Sequence, residues 1–378
     1  MQVYLDNAAT TPLDPEVISE MTGFMKDFYG NPSSTHSKGR QARVELEKAR
    51  KKIGLLIGAK EKEIIFTSGG TEANNAVLTS LALNKKVKRI ISSPIEHHSI
   101  LDSLTWIEAK TDTEICFLNV DSNGRLDIDQ LEDLLTQDIP TIVTLMHANN
   151  EIGNLLDLDL IGNLCEKHHA LFHSDMVQTM GHYPIILQDL PIDFATASAH
   201  KIHGPKGVGF LYVNSKSAKL HAFMHGGAQE RGMRGGTENN IGIAGMAKAF
   251  EVALGTQEKD QKYILLLKKR MKNGLAHNIP GLLFNGDSEN LETSLFNLLN
   301  IRIPHVKDET LLLRLDMEGI MLSEGSACSS GASKGSHVLT ALNKGDNLST
   351  NLRISFSKLN TVEEIDYAIE LISKTVNS

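Results

Sequence analysis

Ile64-Ile65-Phe66-Thr67-Ser68-Gly69-Gly70-Thr71-Glu72-Ala73-Asn74 runs an apolar, β-branched stretch straight into paired glycines and then into residues that open a helix. The segment Glu63–Thr67 reads as a strand covered on both faces, because its apolar residues are continuous and do not alternate. Thr71–Leu83 reads as the helix that follows. Glycines let backbone N–H groups approach an anion, and a helix N-terminus favours negative charge, so the turn is a candidate phosphate site. A plain helix cap is the alternative, since Thr71 and Glu72 suit any helix start.

The same unit recurs outward along the chain. Strands are expected at Arg89–Ser92, Glu114–Val120, Thr141–Met146, Ala170–His173, Phe194–Ala197 and Gly207–Val213, with helices such as Lys38–Leu56, Asp127–Leu135 and Leu158–His168 between them. Alternating strands and helices predict an α/β fold with a parallel sheet. One long charged helix is expected over Glu251–His277. Beyond it the order changes to strand-like Leu295–Ile303, helix Thr310–Met317, a Gly/Ser loop from Ser323 to Ser336, strand Leu352–Phe356 and a helix from Val362. The expected organisation is a large α/β domain over 15–255 and a smaller α+β domain made of 1–14 and 256–378.

Composition narrows the function. The 378 residues are 41% hydrophobic and 22% charged, which excludes disordered, collagenous and coiled-coil chains. A net charge of −8, spread along the sequence, argues against nucleic acid or an anionic membrane as a partner. No uncharged apolar run approaches the roughly 18 residues of a membrane span, and no signal peptide is seen. Cys116, Cys165 and Cys328 match neither a disulfide framework nor a zinc pair, so a reducing cytoplasm is expected.

Ser198-Ala199-His200-Lys201-Ile202-His203-Gly204-Pro205 ends an apolar strand on a lysine just before a Gly/Pro turn. A desolvated lysine has a lowered amine pKa and suits Schiff-base chemistry; a solvated loop lysine is the plainer reading. His173-Ser174-Asp175-Met176-Val177-Gln178 puts Asp175 at the carboxyl end of a strand, where open α/β sheets bind ligands. A buried carboxylate there needs a cationic partner, for which a protonated pyridine nitrogen serves, unless Asp175 only caps a helix. Glu96-His97-His98, His168-His169 and the pair His200 and His203 invite a metal reading. Adjacent histidines point apart, and none has the i, i+4 spacing of a zinc helix, so no metal ligand is assigned. Cys328 lies in Ser323-Glu324-Gly325-Ser326-Ala327-Cys328-Ser329-Ser330-Gly331, a run too small-sided for a core, where an exposed thiol makes a good nucleophile. Cys116 and Cys165 read as small packed hydrophobes.

Taken in order, these motifs resemble the class I cysteine desulfurases, the NifS/IscS-like group of fold-type-I pyridoxal-phosphate enzymes in the aminotransferase class V family. The likeness also rests on Tyr4-Leu5-Asp6-Asn7-Ala8-Ala9-Thr10-Thr11-Pro12, Gly30-Asn31-Pro32-Ser33-Ser34 and His147-Ala148-Asn149-Asn150-Glu151-Ile152-Gly153. It ends with Gly232-Met233-Arg234-Gly235-Gly236-Thr237-Glu238 and Leu352-Arg353-Ile354-Ser355. The resemblance implies a large domain with a mostly parallel seven-stranded sheet, a smaller domain carrying the cysteine loop, and a homodimer.

It also implies roles. Lys201 would hold pyridoxal 5'-phosphate as a Schiff base, Asp175 would pair with the ring nitrogen and Gln178 with the phenolic oxygen. His97 would stack on the ring and move protons. Gly70, Thr71, Ser198 and His200 would hold the phosphate, joined by Thr237 of the partner subunit, while Asn150, Arg353 and Asn31 would receive the substrate. Cys328 would take sulfur from L-cysteine as a persulfide for an acceptor, such as an iron–sulfur scaffold or a thiolation enzyme. Glu324 departs from the family's usual Ser or Thr, and a carboxylate there would raise the pKa of the thiol. Selenocysteine lyase shares the cofactor and fold, an aminotransferase would not need the cysteine, and a binding protein with a decayed site would have little reason to keep Lys201, Asp175, His97 and Cys328 together.

Overall fold

Runs without polar alternation need cover on both faces, and such runs form the middle of the main sheet. The computed structural model describes residues 1–378 except 218, 305–307, 309, 326–334, 343–348 and 378. In chain order the elements are β1 (Val3–Tyr4), α1 (Pro15–Asp27), α2 (Ser37–Ile57), β2 (Ile64–Thr67), α3 (Gly70–Leu83), β3 (Arg89–Ser92), α4 (His98–Lys110), β4 (Glu114–Phe117), α5 (Ile128–Leu135), β5 (Thr141–Thr144), α6 (Leu158–Lys167) and β6 (Leu171–Asp175). They continue with β7 (Phe194–Ser198), β8 (Gly209–Val213), α7 (Asn240–Gly255), α8 (Gln257–Asn278), β9 (Leu283–Phe284), β10 (Leu298–Ile303), α9 (Leu311–Met317), β11 (Ile320–Met321), α10 (His337–Leu342), β12 (Thr350–Ser355) and α11 (Val362–Val376).

The main sheet has seven strands in the order β2-β8-β7-β6-β5-β3-β4. Strand β8 runs antiparallel to both neighbours, and every other pair is parallel. The β7 to β8 connection, residues 199–208, holds a 3-10 turn and no crossover helix, whereas each parallel step has room for a crossover. On one side Ile53 and Ile57 of α2 and Phe250 of α7 pack with Phe66 and Phe210. On the other, Val77 and Leu81 of α3 and Ile100 and Leu104 of α4 pack with Ile90 and Leu211. All seven expected strands belong to this sheet, with shifted ends: β4 stops at Phe117, and β6 continues to Asp175.

The single helix expected over Glu251–His277 is instead two. Thr256 stands between α7 and α8 with φ −117° and ψ 5°, outside helical values. Its hydroxyl lies 3.0 Å from the Val252 carbonyl and 2.6 Å from the Asp260 carboxylate, so one residue serves the end of α7 and the start of α8.

A third apolar cluster joins Val3 and Leu5 to Leu267 and Met271 of α8, Leu299 and Ile301 of β10, and Ile354 of β12. Here β12, β10 and β9 form an antiparallel sheet, and β1 pairs in parallel with β11. The start of the chain is thereby fastened to its end, beside the carboxyl ends of the parallel strands.

Candidate active site

Parallel strands deliver their following residues to one edge of the sheet, the usual position of a ligand in an open α/β fold. After β2 comes the glycine turn, after β3 His97, after β5 Asn150, and β6 and β7 end at Asp175 and beside Lys201. Gly70, Thr71, His97, Asn150, Asp175, Gln178, Ser198, His200, Lys201 and Arg353 line one cleft of about 210 Å³. The sequence reading did not single out Ala8, Ala9, Ser99, Met146, Ala148 and Val177, which complete the lining.

At the glycine turn, Gly69 has φ 153° and ψ −175°, a region essentially closed to residues with a Cβ. At Gly70 a Cβ would come within 2.8 Å of Val177 Cγ2. Glu72 braces the turn, accepting the Ser68 backbone N–H at 2.8 Å and Arg234 Nε at 2.9 Å. The result is a helix N-terminus opened by two glycines and closely packed by the Val177 side chain, a position suited to an anion.

Lys201 follows β7 on a single 3-10 turn. Its Nζ donates to the carbonyl oxygens of Ala8 and Ala9, the latter at 2.8 Å. Gln178 Nε2 donates to the same Ala8 oxygen at 3.0 Å. The N-terminal segment is itself pinned, with Asn7 Nδ2 donating to the Ser355 carbonyl at 2.9 Å and Ala8 N–H to Ser355 Oγ at 2.8 Å. A backbone carbonyl carries no residue signature, which is why this floor was not legible.

Asp175 is buried, accepting the Val177 N–H at 3.0 Å and Asn74 Nδ2 at 2.7 Å. His97 caps α4, its Nδ1 accepting the Ser99 N–H at 3.1 Å. Burial pulls the His97 pKa below its ordinary value; Asp175 opposes the fall, and Lys201 adds to it. His200 is pulled down to about 4 by burial and then by Lys201. Both imidazoles are therefore neutral near pH 7.

Arg353 on β12 is 1% exposed. Its Nη1 donates to the Asn150 carbonyl at 3.0 Å and its Nη2 to Asp6 at 2.8 Å, while its buried Nε has no hydrogen-bond partner. A guanidinium held on two sides with a donor to spare suits a carboxylate ligand.

Two expected residues are not brought to this cleft by the chain itself. Asn31 is exposed and accepts the Ser33 N–H at 2.9 Å, and Thr237 is exposed in the segment before α7. Cys328 lies outside the described residues. Of its flanks, Gly325 is buried beside Glu151, and Ser336 donates to the Glu151 carboxylate. Cys165 is buried and Cys116 half-buried, each packed against the core. His97 and His200 line the cleft, but their neighbours are engaged elsewhere: the His98 ring lies tilted against His337, centroids 4.6 Å apart, and His203 Nδ1 meets the Pro12 carbonyl at 2.9 Å. Among the described residues no three His, Cys, Asp or Glu side chains are grouped to hold a metal.

Residues 3–368 match the protein family described as aminotransferase class-V. A cysteine desulfurase IscS of Dictyoglomus turgidum is 41% identical over 378 residues, covering 99% of this chain and 94% of that protein. A cysteine desulfurase IscS of Methanosarcina thermophila is 39% identical over 99% of this chain and 92% of its own length. Among solved structures, a NifS-like protein superposes with a TM-score of 0.91 at 36% identity, and one from Rickettsia africae with 0.89 at 33%, each covering 100% of both chains. The fold and cleft are those of an aminotransferase class-V protein. Within that class the chain belongs to the IscS/NifS-like cysteine desulfurase family, whose members are pyridoxal-phosphate enzymes.

The residues of the cleft fit that cofactor. A helix N-terminus with no room for a Cβ suits the phosphate, a buried carboxylate suits a protonated ring nitrogen, and a lysine amine suits the aldehyde. Among the described residues no helix is long and apolar enough to cross a membrane.

Proposed function

We propose that the protein converts L-cysteine to L-alanine and transfers the sulfur to Cys328 as a persulfide, for delivery to a protein acceptor such as an iron–sulfur scaffold or a thiolation enzyme. The observation that carries this reading is the gathering of Lys201, Asp175, His97 and Arg353 around one cleft. Lys201 holds pyridoxal phosphate, which when bound supplies an electron sink for the substrate carbon. Gly70, Thr71, Ser198 and His200 hold the phosphate, Gln178 the phenolic oxygen, and Asp175 keeps the ring nitrogen protonated. Arg353 and Asn150 orient the substrate carboxylate, and Lys201 and His97 handle protons at the substrate carbons.

Cys328 Sγ, as thiolate, attacks the sulfur of the bound cysteine. The S–S bond forms as the C–S bond breaks, its electron pair stays with carbon, and that carbon takes up a proton on the way to the alanine methyl group. The enzyme works in the cytoplasm, a reading supported by cysteine usage that shows no disulfide framework, and as a homodimer, a reading that rests on the family resemblance alone.

Absorbance of the purified protein, with alanine and persulfide sulfur assayed after L-cysteine is added, tests the reading. A visible cofactor band that changes with cysteine, with alanine and protein-bound sulfur appearing together, is the expected result. Protein that cannot be reconstituted with pyridoxal phosphate overturns it, as does a Cys328→Ala variant that releases sulfide at the wild-type rate.

A further inference from the structure

Asn74 is a buried amide with an idle oxygen. It lies on α3, one turn beyond Gly70 and Thr71, and is fully buried. The surrounding core, with Ala73, Ala76 and Val77, is apolar, so packing alone calls for alanine or leucine at this position. Its Oδ1 has no hydrogen-bond partner, whereas Nδ2 donates twice, to Asp175 Oδ2 at 2.7 Å and to Ser99 Oγ at 2.8 Å. That orientation is forced, because the reverse would set the amide oxygen against the Asp175 carboxylate with no proton between them.

Ser99 extends the second arm. Its hydroxyl accepts from Asn74, which leaves its own proton for His97 Nδ1, 2.8 Å away. With the Ser99 N–H on the same atom, a neutral His97 keeps its ring proton on Nε2.

We propose that Asn74 is a positioning residue of this site, its one amide nitrogen orienting Asp175 directly and His97 through Ser99. The inference rests on the functional reading above, in which Asp175 and His97 are the groups that meet the cofactor ring. Asn74 itself does not line the cleft. Helix α3 thus offers its N-terminus to the phosphate and, one turn later, aims the carboxylate meant for the ring nitrogen. Anion binding and ring orientation are joined in one rigid element, supported from behind.

The test uses the full-length protein with Asn74→Ala and with Asn74→Leu, which refills the volume without restoring a donor. Pyridoxal phosphate is titrated into the apoprotein, the pH midpoint of the bound cofactor's absorption is recorded, and the His97 ring nitrogens are titrated by NMR in the apoprotein, with His97→Gln for assignment. Both variants should raise the cofactor Kd about tenfold or more and move both midpoints by roughly half a pH unit, while Ser99→Ala moves the His97 midpoint alone. A folded Asn74 variant with reduced activity and both midpoints at wild-type values overturns the proposal and leaves Asn74 a packing residue. So does Ser99→Ala with an unmoved His97 midpoint. Wild-type protein that binds pyridoxal phosphate yet forms no alanine from cysteine overturns the functional reading instead, and leaves these readouts intact.

Discussion

Glu96 is a carboxyl group placed where a charge is hardest to keep. It is 1% exposed; Oε1 accepts the Met146 N–H at 3.0 Å and the Ser93 hydroxyl at 3.1 Å, and Oε2 has no hydrogen-bond partner. Burial, reinforced by the negative charge of Asp175, raises its pKa from 4.5 to about 8. A carboxyl whose folded pKa exceeds its unfolded one is held protonated by the fold. Stability should therefore fall as pH rises between about 4.5 and about 8, by as much as about 3 kcal/mol at pH 7. Glu96→Gln mimics the neutral form at every pH. Urea unfolding should find it more stable than wild type by roughly 1 to 3 kcal/mol at pH 7.5 and about equal near pH 4.5; a constant difference across that range would contradict the account. Nothing about Glu96 was legible beyond its place beside His97. Lys201, Asp175 and the Gly70 turn were legible because each follows an apolar strand, while Ser99 and Asn74 are ordinary helix residues until the fold sets them against Asp175 and His97.

At the scale of elements, the unit β2, glycine turn and α3 concentrates the most information. Gly69 has space around it, since the nearest atom to an added Cβ would be Ser198 Oγ at 3.9 Å, but its φ of 153° suits glycine alone. Gly69→Ala therefore strains the backbone without crowding. The expected loss is about 1 to 3 kcal/mol in apoprotein unfolding, with a cofactor Kd raised about tenfold as the turn shifts from the anion. Wild-type values in both would show that the turn tolerates a Cβ and that its geometry is not what binds. This unit was readable because strand, turn and helix signals agree over a dozen neighbouring residues. The break between α7 and α8 was not, because charged helix-forming residues flank it and hide one Thr. Gly255-Thr256 with Asp260 four residues on was the available signal, a weak helix former followed by a hydroxyl residue whose side chain meets the Asp260 carboxylate.

The whole molecule raises the question of where Thr237 and Asn31 act. The division into 15–255 and 1–14 with 256–378 remains our proposal, supported by an apolar cluster that draws Val3 and Leu5 to α8, β10 and β12. Under that division Ala8, Ala9 and Arg353 come from one part and Lys201, Asp175 and Gly70 from the other, so the cleft lies between them. Thr237 and Asn31 stay exposed and outside it. A second copy of the chain, related by a two-fold axis, would resolve the mismatch by bringing Thr237 to its partner's phosphate site. This makes a quantitative prediction. Thr237→Ala and Lys201→Ala should each be impaired as homodimers, but a mixed dimer has one site with an intact Lys201 and the partner's intact Thr237. Co-expression with random pairing gives half mixed dimers with half their sites whole, so activity should return to about a quarter of wild type. Lys201→Ala combined with Asp175→Ala places both defects in residues of the same cleft, leaves every mixed site defective and should restore nothing. If the Thr237 and Lys201 mixture shows only the average of its parents, Thr237 serves its own subunit or none, and the cleft is complete within one chain.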